Sequence, residues 1–416
     1  MMTYHYRTAK LLSFLVCILV IGRYCMTDTN FFILRHAIYE EHTQAQKQKQ
    51  YEDRYLDLSK IVPSDDTSIL QKHLRTVKKK YQSTHLKVNG SLSFQGPYSF
   101  MKNYKNPCYR VRDKVQCLPY FYLIGVPKAG TSDLFARICH HKDVMPPFKK
   151  ETQFWPRMRF KGTPYNVYLQ YFHEASQKID SLTNITENGM IYHHAITGTA
   201  TPSDFWDNDL WHYDMYNTHL DEPAIITPHH LYHINPESKF IIIFRNPAER
   251  LYSDYCYRRH TRPTATSQRF HGNVTRAIQM YTDCFSKYSI RKCVYDRDLA
   301  RDAVVYIRLG LYHIYMMHWL KVFPRQQFLL LDYDEYRNDR KGSLGRVYKF
   351  LELRTPNPKQ WEQILQGVAK NTNFRRKKKA GPMFEETRLL LNNFYRNSST
   401  EIAKYFGEDR PKWSKI

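Results

Sequence analysis

Three groups of residues have the types and spacing to do chemistry. The first is Pro127-Lys128-Ala129-Gly130-Thr131-Ser132, a lysine and a hydroxyl pair around a glycine, placed directly after the apolar run Phe121–Val126. A buried strand, a glycine turn and a helix N-terminus would aim backbone N–H groups and a partial positive charge at one point. That suits a phosphate-like anion, and Lys128 adds a full charge. The second group is Arg245 with Ser253, one at the end of the apolar run Lys239–Phe244 and the other on the helix expected after it. A guanidinium and a hydroxyl converging on a phosphate make charge-assisted bonds. The third is Lys150-Glu151, followed by Phe154 and Trp155. Taken alone, that pair reads as an exposed ion pair beside two core aromatics, and such pairs contribute little.

Gly125 to Ser132 nearly fits the nucleotide pattern GxxxxGK[ST], but the lysine precedes Gly130 and Thr131 occupies its place. No convincing second acidic strand end offers a magnesium ligand, so a nucleotide kinase is the weaker reading.

Apolar periodicity gives the elements that must position these groups. Phe121–Val126, Lys239–Phe244 and Gln327–Leu331 read as buried parallel strands. A helix is expected from Asp133 to Cys139, with an acidic first turn, and helical cover from Tyr165 to His173. Pro228 and Pro247 fall at helix starts, where a missing N–H costs nothing. Arg301–Val322 has the spacing of one long helix, and Leu344–Leu351 and Phe384–Phe406 read as the last helices. Strands alternating with helices predict an α/β fold with a doubly wound parallel sheet and a ligand at the strands' carboxyl ends.

The Pro-Lys-x-Gly-Thr order resembles the 5′-phosphosulfate loop of sulfotransferases, and Lys239–Asp254 resembles that family's 3′-phosphate segment. Lys150-Glu151-Thr-Gln-Phe-Trp155 and Thr199–Ser203 resemble motifs of the glycan-directed Golgi branch, and the likeness runs from about Asn106 to Trp413. The resemblance implies a P-loop-like sulfotransferase fold with 3′-phosphoadenosine 5′-phosphosulfate as donor and no metal required. Lys128 would stand at the leaving oxygen, and Glu151 would be the base that takes the acceptor's proton. Lys128, Ala129, Gly130, Thr131 and Ser132 would hold the 5′-phosphate, and Arg245 and Ser253 the 3′-phosphate. Ala129 stands where the nearest relatives would carry a cysteine. The implied acceptor is a glycosaminoglycan hydroxyl, the 6-hydroxyl of N-acetylgalactosamine 4-sulfate in chondroitin or dermatan sulfate. The alternatives are a heparan sulfate acceptor or a catalytically inactive glycan-binding protein on the same fold. Arg375–Lys379 resembles the late loop that closes over the 3′-phosphate, or is a solvated charge run or a contact for the acidic glycan. Cytosolic relatives use a histidine base, but here His140-His141, His193-His194 and His229-His230 read as packing or surface groups.

Composition and flanking segments place this chemistry in the cell. The 416 residues carry 63 Lys and Arg against 39 Asp and Glu, a formal charge of +24 that suits a polyanionic partner. No nucleic-acid motif accompanies it, so an acidic glycan is expected rather than nucleic acid. Residues 1–10 read as a cytosolic tail, 11–26 as an uncleaved signal anchor, 27–105 as a luminal stem and 106–416 as the sulfotransferase domain, with the whole in the Golgi membrane. The apolar run Leu11–Gly22 is short for a span needing about 20 residues, so Arg23 must snorkel; a cleaved signal peptide is the rival reading, although no clear small-x-small cleavage site follows. Sequons stand at Asn89, Asn184, Asn273 and Asn397. The close spacing of Cys108 with Cys117 and of Cys284 with Cys293 suits disulfides in an oxidising lumen, with Cys139 and Cys256 free or a third bridge.

Overall fold

The structure is a computed structural model and describes residues 98–258, 262–366, 379–407 and 410–415. The expected anchor, Asn89, Arg375–Lys378 and all but the last residues of the stem lie outside the described residues. Among the described residues, no helix is long and apolar enough to cross a membrane.

The chain enters through a hairpin, β1 (Cys108–Val111) and β2 (Lys114–Cys117), whose opposed cysteines form a disulfide. It then lays down β3 (Phe121–Gly125), α1 (Thr131–Ile138), β4 (Val144–Met145), α2 (Tyr165–Gln170) and α3 (His173–Ser181). A small hairpin, β5 (Asn184–Ile185) with β6 (Ile191–Tyr192), precedes β7 (Ile196–Ala200), α4 (Thr227–Ile234), β8 (Lys239–Phe244) and α5 (Pro247–Tyr255). The remainder is α6 (Ser267–Phe285), α7 (Ile290–Tyr295), α8 (Arg297–Asp302), α9 (Tyr312–Leu320), β9 (Phe328–Asp332), α10 (Tyr333–Asn338), α11 (Arg340–Phe350), α12 (Pro358–Leu365) and α13 (Glu385–Ala403).

The central sheet has the order β4-β7-β3-β8-β9, every pairing parallel. From β3 the chain first builds toward β4 and β7, then crosses to β8 and β9 on the other side. That reversal leaves a crevice at the carboxyl ends of the strands. β3 and β8 are continuous apolar runs buried on both faces, as a parallel sheet between helices requires.

β7 carries almost no strand signal, because Ile-Thr-Gly-Thr-Ala lacks an apolar run, and its last two residues stood out in the sequence only as the start of the Thr199–Ser203 motif. Tertiary packing supplies the reason for its composition. Gly198 pairs with Phe121, and a Cβ there would lie 2.3 Å from the Phe121 ring. The aromatic of one strand occupies the space a side chain would take on the next.

The single long helix expected over Arg301–Val322 is a correction: α8 ends at Asp302, a 3₁₀ turn spans Ile307–Gly310, and α9 begins at Tyr312. Val304 takes a left-handed φ of +62° at the break. Arg308 is buried and donates to the Val294 carbonyl at 2.7 Å while pairing with Asp209. The Ile307 carbonyl accepts from the Tyr395 hydroxyl of α13 at 2.7 Å. Apolar spacing matched a helix, but a buried guanidinium needing fixed partners overrode it.

Cys284 and Cys293 are bridged, whereas Cys139 and Cys256 are not in a disulfide, so the third bridge is not formed.

Candidate active site

The turn after β3 is built to leave a helix N-terminus open. The Val126 N–H donates to the Ile243 carbonyl at 2.9 Å, which locks the exit of β3 against β8. Lys128 (φ +70°) and Gly130 (φ +81°) are both left-handed, and Gly130 is the N-cap of α1. No side chain caps that terminus; the Asp133 amide bonds the Gly130 carbonyl at 3.1 Å, and the Thr131 and Ser132 N–H groups are left for an external acceptor. The acidic first-turn residue does not compete for them. Asp133 accepts from Arg137 Nε at 3.0 Å and Tyr336 Oη at 2.7 Å, on the buried side of the helix. Ala129 and Thr131 are buried, and Ser132 is half-buried.

Arg245 lies just past β8, and its Nη1 donates to the Lys128 carbonyl at 2.9 Å. One hydrogen bond therefore joins the two segments that the sequence had marked as anion-binding, on adjacent strand ends. The same guanidinium sits 4.7 Å over the Tyr333 ring and 3.9 Å from Glu249. Tyr333 also packs against Gly130, within 3.1 Å of where a Cβ would stand. Asp332 fixes that tyrosine by capping α10, accepting from the Asp334 and Glu335 amides at 3.0 Å and from Trp413 Nε1 at 2.6 Å. On the other wall, Lys128 Nζ stands 3.7 Å from the centre of the Tyr257 ring, four residues after buried Ser253 of α5. The Tyr252 hydroxyl donates to the Gly381 carbonyl, and Ser267 Oγ donates to the Ala380 carbonyl at 3.1 Å. The end of the basic run is thus tied beside Ser253.

Glu151 reaches this region from the opposite half of the sheet. Its N–H donates to the Ala200 carbonyl at the end of β7 at 2.9 Å. Glu151 (φ +58°) and Gln153 (φ +50°) both adopt the left-handed conformation, and a π-helical turn follows at Phe154–Met158. Such conformations in non-glycine residues cost of order 1 kcal/mol or more each and persist only where packing enforces them. Phe154 and Trp155 supply that packing, each about 1% exposed. The Glu151 side chain keeps 44% exposure, and Lys150 bridges it to α1: Nζ donates to Ser132 Oγ at 3.1 Å and pairs with the Glu151 carboxylate.

Thr201, Asp204 and Phe205 carry the chain from β7 across the strand ends. The Thr201 amide bonds Leu123 O at 3.1 Å and the Phe205 amide bonds Ile124 O at 3.1 Å. The Thr199 and Thr201 hydroxyls and Asp204 Oδ1 are buried with no hydrogen-bond partner among the described residues. Burial, and after it the neighbouring Asp207, push the Asp204 carboxyl well above its ordinary range. The histidines behave as packing groups where they are most buried. His230 lies 2.8 Å from Asp214, which Arg159 also reaches at 3.0 Å. Burial would raise that carboxyl, but His230 and Arg159 hold it below the usual range. Burial and His230 push His229 down to about 3.

No sequence motif marked Tyr257 or Tyr333, or showed that Lys150 reaches Ser132. Tyr333 had one available signal, since it directly follows a parallel strand and so had to fall at the carboxyl edge. The other two depend on contacts between distant segments. As a chemical arrangement, the crevice offers two linked cationic groups at an uncapped helix terminus, and a carboxylate held at that terminus by a lysine. A guanidinium, a hydroxyl and a helix terminus are chemically suited to phosphate groups, and Arg245, Ser253 and the start of α1 supply these with Lys128 beside them.

The family profile described as "Sulfotransferase domain" matches residues 119–405. Carbohydrate sulfotransferase 15 of Rattus norvegicus is 33% identical over 312 residues, covering 72% of this chain and 55% of the relative. The bifunctional heparan sulfate N-deacetylase/N-sulfotransferase 4 of Mus musculus is 24% identical over 334 residues, covering 74% of this chain and 34% of the relative. The chain thus spans about half the length of the carbohydrate sulfotransferase 15 it matches, and less of the bifunctional enzyme. A crystal structure of a sulfotransferase from Alicyclobacillus acidocaldarius superposes with a TM-score of 0.43 at 18% identity, covering 71% of this chain and 99% of that one. The profile match over most of the described domain, with the one-third identity to a carbohydrate member, places this chain in the sulfotransferase-domain family.

Proposed function

We propose that the protein transfers a sulfuryl group from 3′-phosphoadenosine 5′-phosphosulfate to a hydroxyl of an acidic glycosaminoglycan. The acceptor that best fits is the 6-hydroxyl of N-acetylgalactosamine 4-sulfate in chondroitin or dermatan sulfate. The observation that carries this reading is the hydrogen bond from Arg245 to the Lys128 carbonyl. It joins the Lys128 and Arg245 segments beside the helix terminus to which Lys150 tethers Glu151, which supports one donor held by both.

The donor supplies a sulfuryl group already activated on a phosphate. Glu151 takes the proton of the acceptor hydroxyl as that oxygen bonds to sulfur. Lys128 and the α1 amides meet the negative charge left on the phosphate oxygen as its bond to sulfur breaks. Arg245 and Ser253 hold the other phosphate and so fix the line of attack. Replacing Glu151 by Gln is expected to lower kcat by roughly 10²-fold or more while donor affinity is kept. Lys128→Ala is expected to lower it comparably. Labelled donor incubated with defined chondroitin, dermatan and heparan acceptors, followed by disaccharide analysis, checks both. Unchanged turnover in either variant would remove the assigned role. A heparan sulfate acceptor is the second reading, supported by the similarity to the heparan sulfate N-deacetylase/N-sulfotransferase.

The two disulfides suit an oxidising compartment, in keeping with a Golgi-luminal domain tethered through residues 11–26. The positive charge suits the polyanionic acceptor.

A further inference from the structure

Arg157 lies six residues beyond Glu151, on the π-helical turn. Its Nε donates to Asp207 Oδ2 at 2.5 Å and its Nη1 to Gln153 Oε1 at 3.4 Å. Both partners belong to walls already described. Gln153 is in the strained turn that presents Glu151, and Asp207 is in the segment crossing from β7 over the strand ends, its amide bonded to Ser203 O at 2.8 Å. Asp207 is wholly buried, whereas the Arg157 side chain keeps 37% exposure. A guanidinium has five N–H donors, and these contacts use only two. Nε is committed to Asp207 and Nη1 reaches Gln153, while the side chain as a whole stays more than a third exposed. Nη2 makes no hydrogen bond among the described residues. Two parallel N–H groups on an arginine whose stem is clamped form a fork that matches an oxyanion bidentately, with little rotamer freedom left to lose. The donor-holding groups, Arg245, Ser253 and Tyr333, lie on the β8–β9 side of β3, whereas Arg157 and Glu151 lie on the β7 side.

We propose that Arg157 binds an anionic group of the acceptor glycan, a sulfate ester or a uronate carboxylate, and so sets the hydroxyl beside Glu151. This rests on the glycosaminoglycan reading above. Neutralising Asp207 alone would need Nε only; the side chain's exposure and the unused Nη2 are what that simpler role leaves unexplained.

The test is steady-state kinetics of the full chain with three acceptors: chondroitin 4-sulfate, its carboxyl-reduced form and desulfated chondroitin. Arg157→Ala is expected to raise the KM for chondroitin 4-sulfate by about 10- to 100-fold, the range for a hydrogen bond to a charged group. The KM for the donor should stay within about twofold of wild type, and Arg157→Lys should fall between, since it keeps the charge and loses the fork. If the variant and wild type handle desulfated chondroitin alike, the bound group is the sulfate ester. If they handle the carboxyl-reduced polymer alike, it is the carboxylate. Because Arg157→Ala leaves a buried carboxylate unpaired, the double variant Arg157→Ala/Asp207→Asn is measured beside it. The acceptor defect should persist there while thermal stability recovers. Recovery of acceptor KM in the double variant, or no change in any acceptor KM in the single one, overturns the inference. If wild type sulfates none of the three polymers, the acceptor reading itself fails and takes this inference with it.

Discussion

Lys150 shows how one side chain can change the standing of its neighbour. On sequence grounds Lys150-Glu151 is a surface pair of little energetic weight, and half-exposed geometry alone would leave it so. The bond from Lys150 to Ser132 alters this, because it fixes the Glu151 carboxylate against the N-terminus of α1. Lys150→Met, which keeps the stem and removes the charge, is expected to lower kcat by about tenfold, with donor KM changed far less. Steady-state kinetics with both substrates varied checks this, and a change under about twofold would return the pair to its bland reading. Asp204 makes a separate prediction at the same scale. Its folded-state carboxyl is raised above the unfolded value, so the folded protein holds a proton that the unfolded chain has released. The associated stability is full below the unfolded value of about 4 and is lost as pH climbs toward the folded one. Asp204→Asn stays neutral throughout. Its stability relative to wild type should therefore grow as pH rises above the unfolded value of about 4 in urea unfolding. A pH-independent difference would mean that Asp204 does not keep its proton.

At the scale of elements, the site depends on strands meeting at one edge, and β7 is the instructive one. It joins β3 to the loop that carries Glu151, yet its own residues scarcely ask to be a strand. Its position comes from fit. Phe121 fills the place of a Gly198 side chain, Thr197 Oγ1 bonds the Met145 carbonyl at 2.7 Å, and Asn106 Oδ1 accepts the Thr197 amide at 2.8 Å. Gly198→Ala must displace either the strand or a buried ring, so it is expected to destabilise by about 1–3 kcal/mol. Urea unfolding would measure that loss, and a neutral result would mean the sheet has slack at this point. β3 and β8 were legible because a strand buried on both faces must be apolar throughout. β7 and the break between α8 and α9 were not, because each is decided by a partner far away in sequence: Phe121 and Asn106 for one, Asp209 and Tyr395 for the other.

At the scale of the whole molecule, the formal charge of +24 acts as a long-range field. Exposed charges interact over about 10 Å at 0.1 M salt, so added salt should weaken the capture of a polyanionic chain before it touches the chemistry. The acceptor KM is expected to rise steeply between about 0.05 and about 0.3 M sodium chloride, while kcat at saturating acceptor changes little. Initial rates over that range check it, and a salt-independent KM would argue that the positive charge is not directed at the acceptor.

By itself the sequence determined the parts that are local in the chain. The strand–turn–helix around Lys128 and Gly130, the helix start at Pro247 and the nine-residue cysteine spacings all depend on neighbours, and short-range sterics and patterning suffice to specify them. Only the tertiary structure decided which distant groups share a space: that Arg245 reaches the Lys128 carbonyl, that Asp133 turns away from the helix terminus, and that Tyr333 lies under Arg245. Those contacts join residues tens to hundreds of positions apart. No local rule selects them, because their energy exists only once the sheet has brought the strand ends side by side.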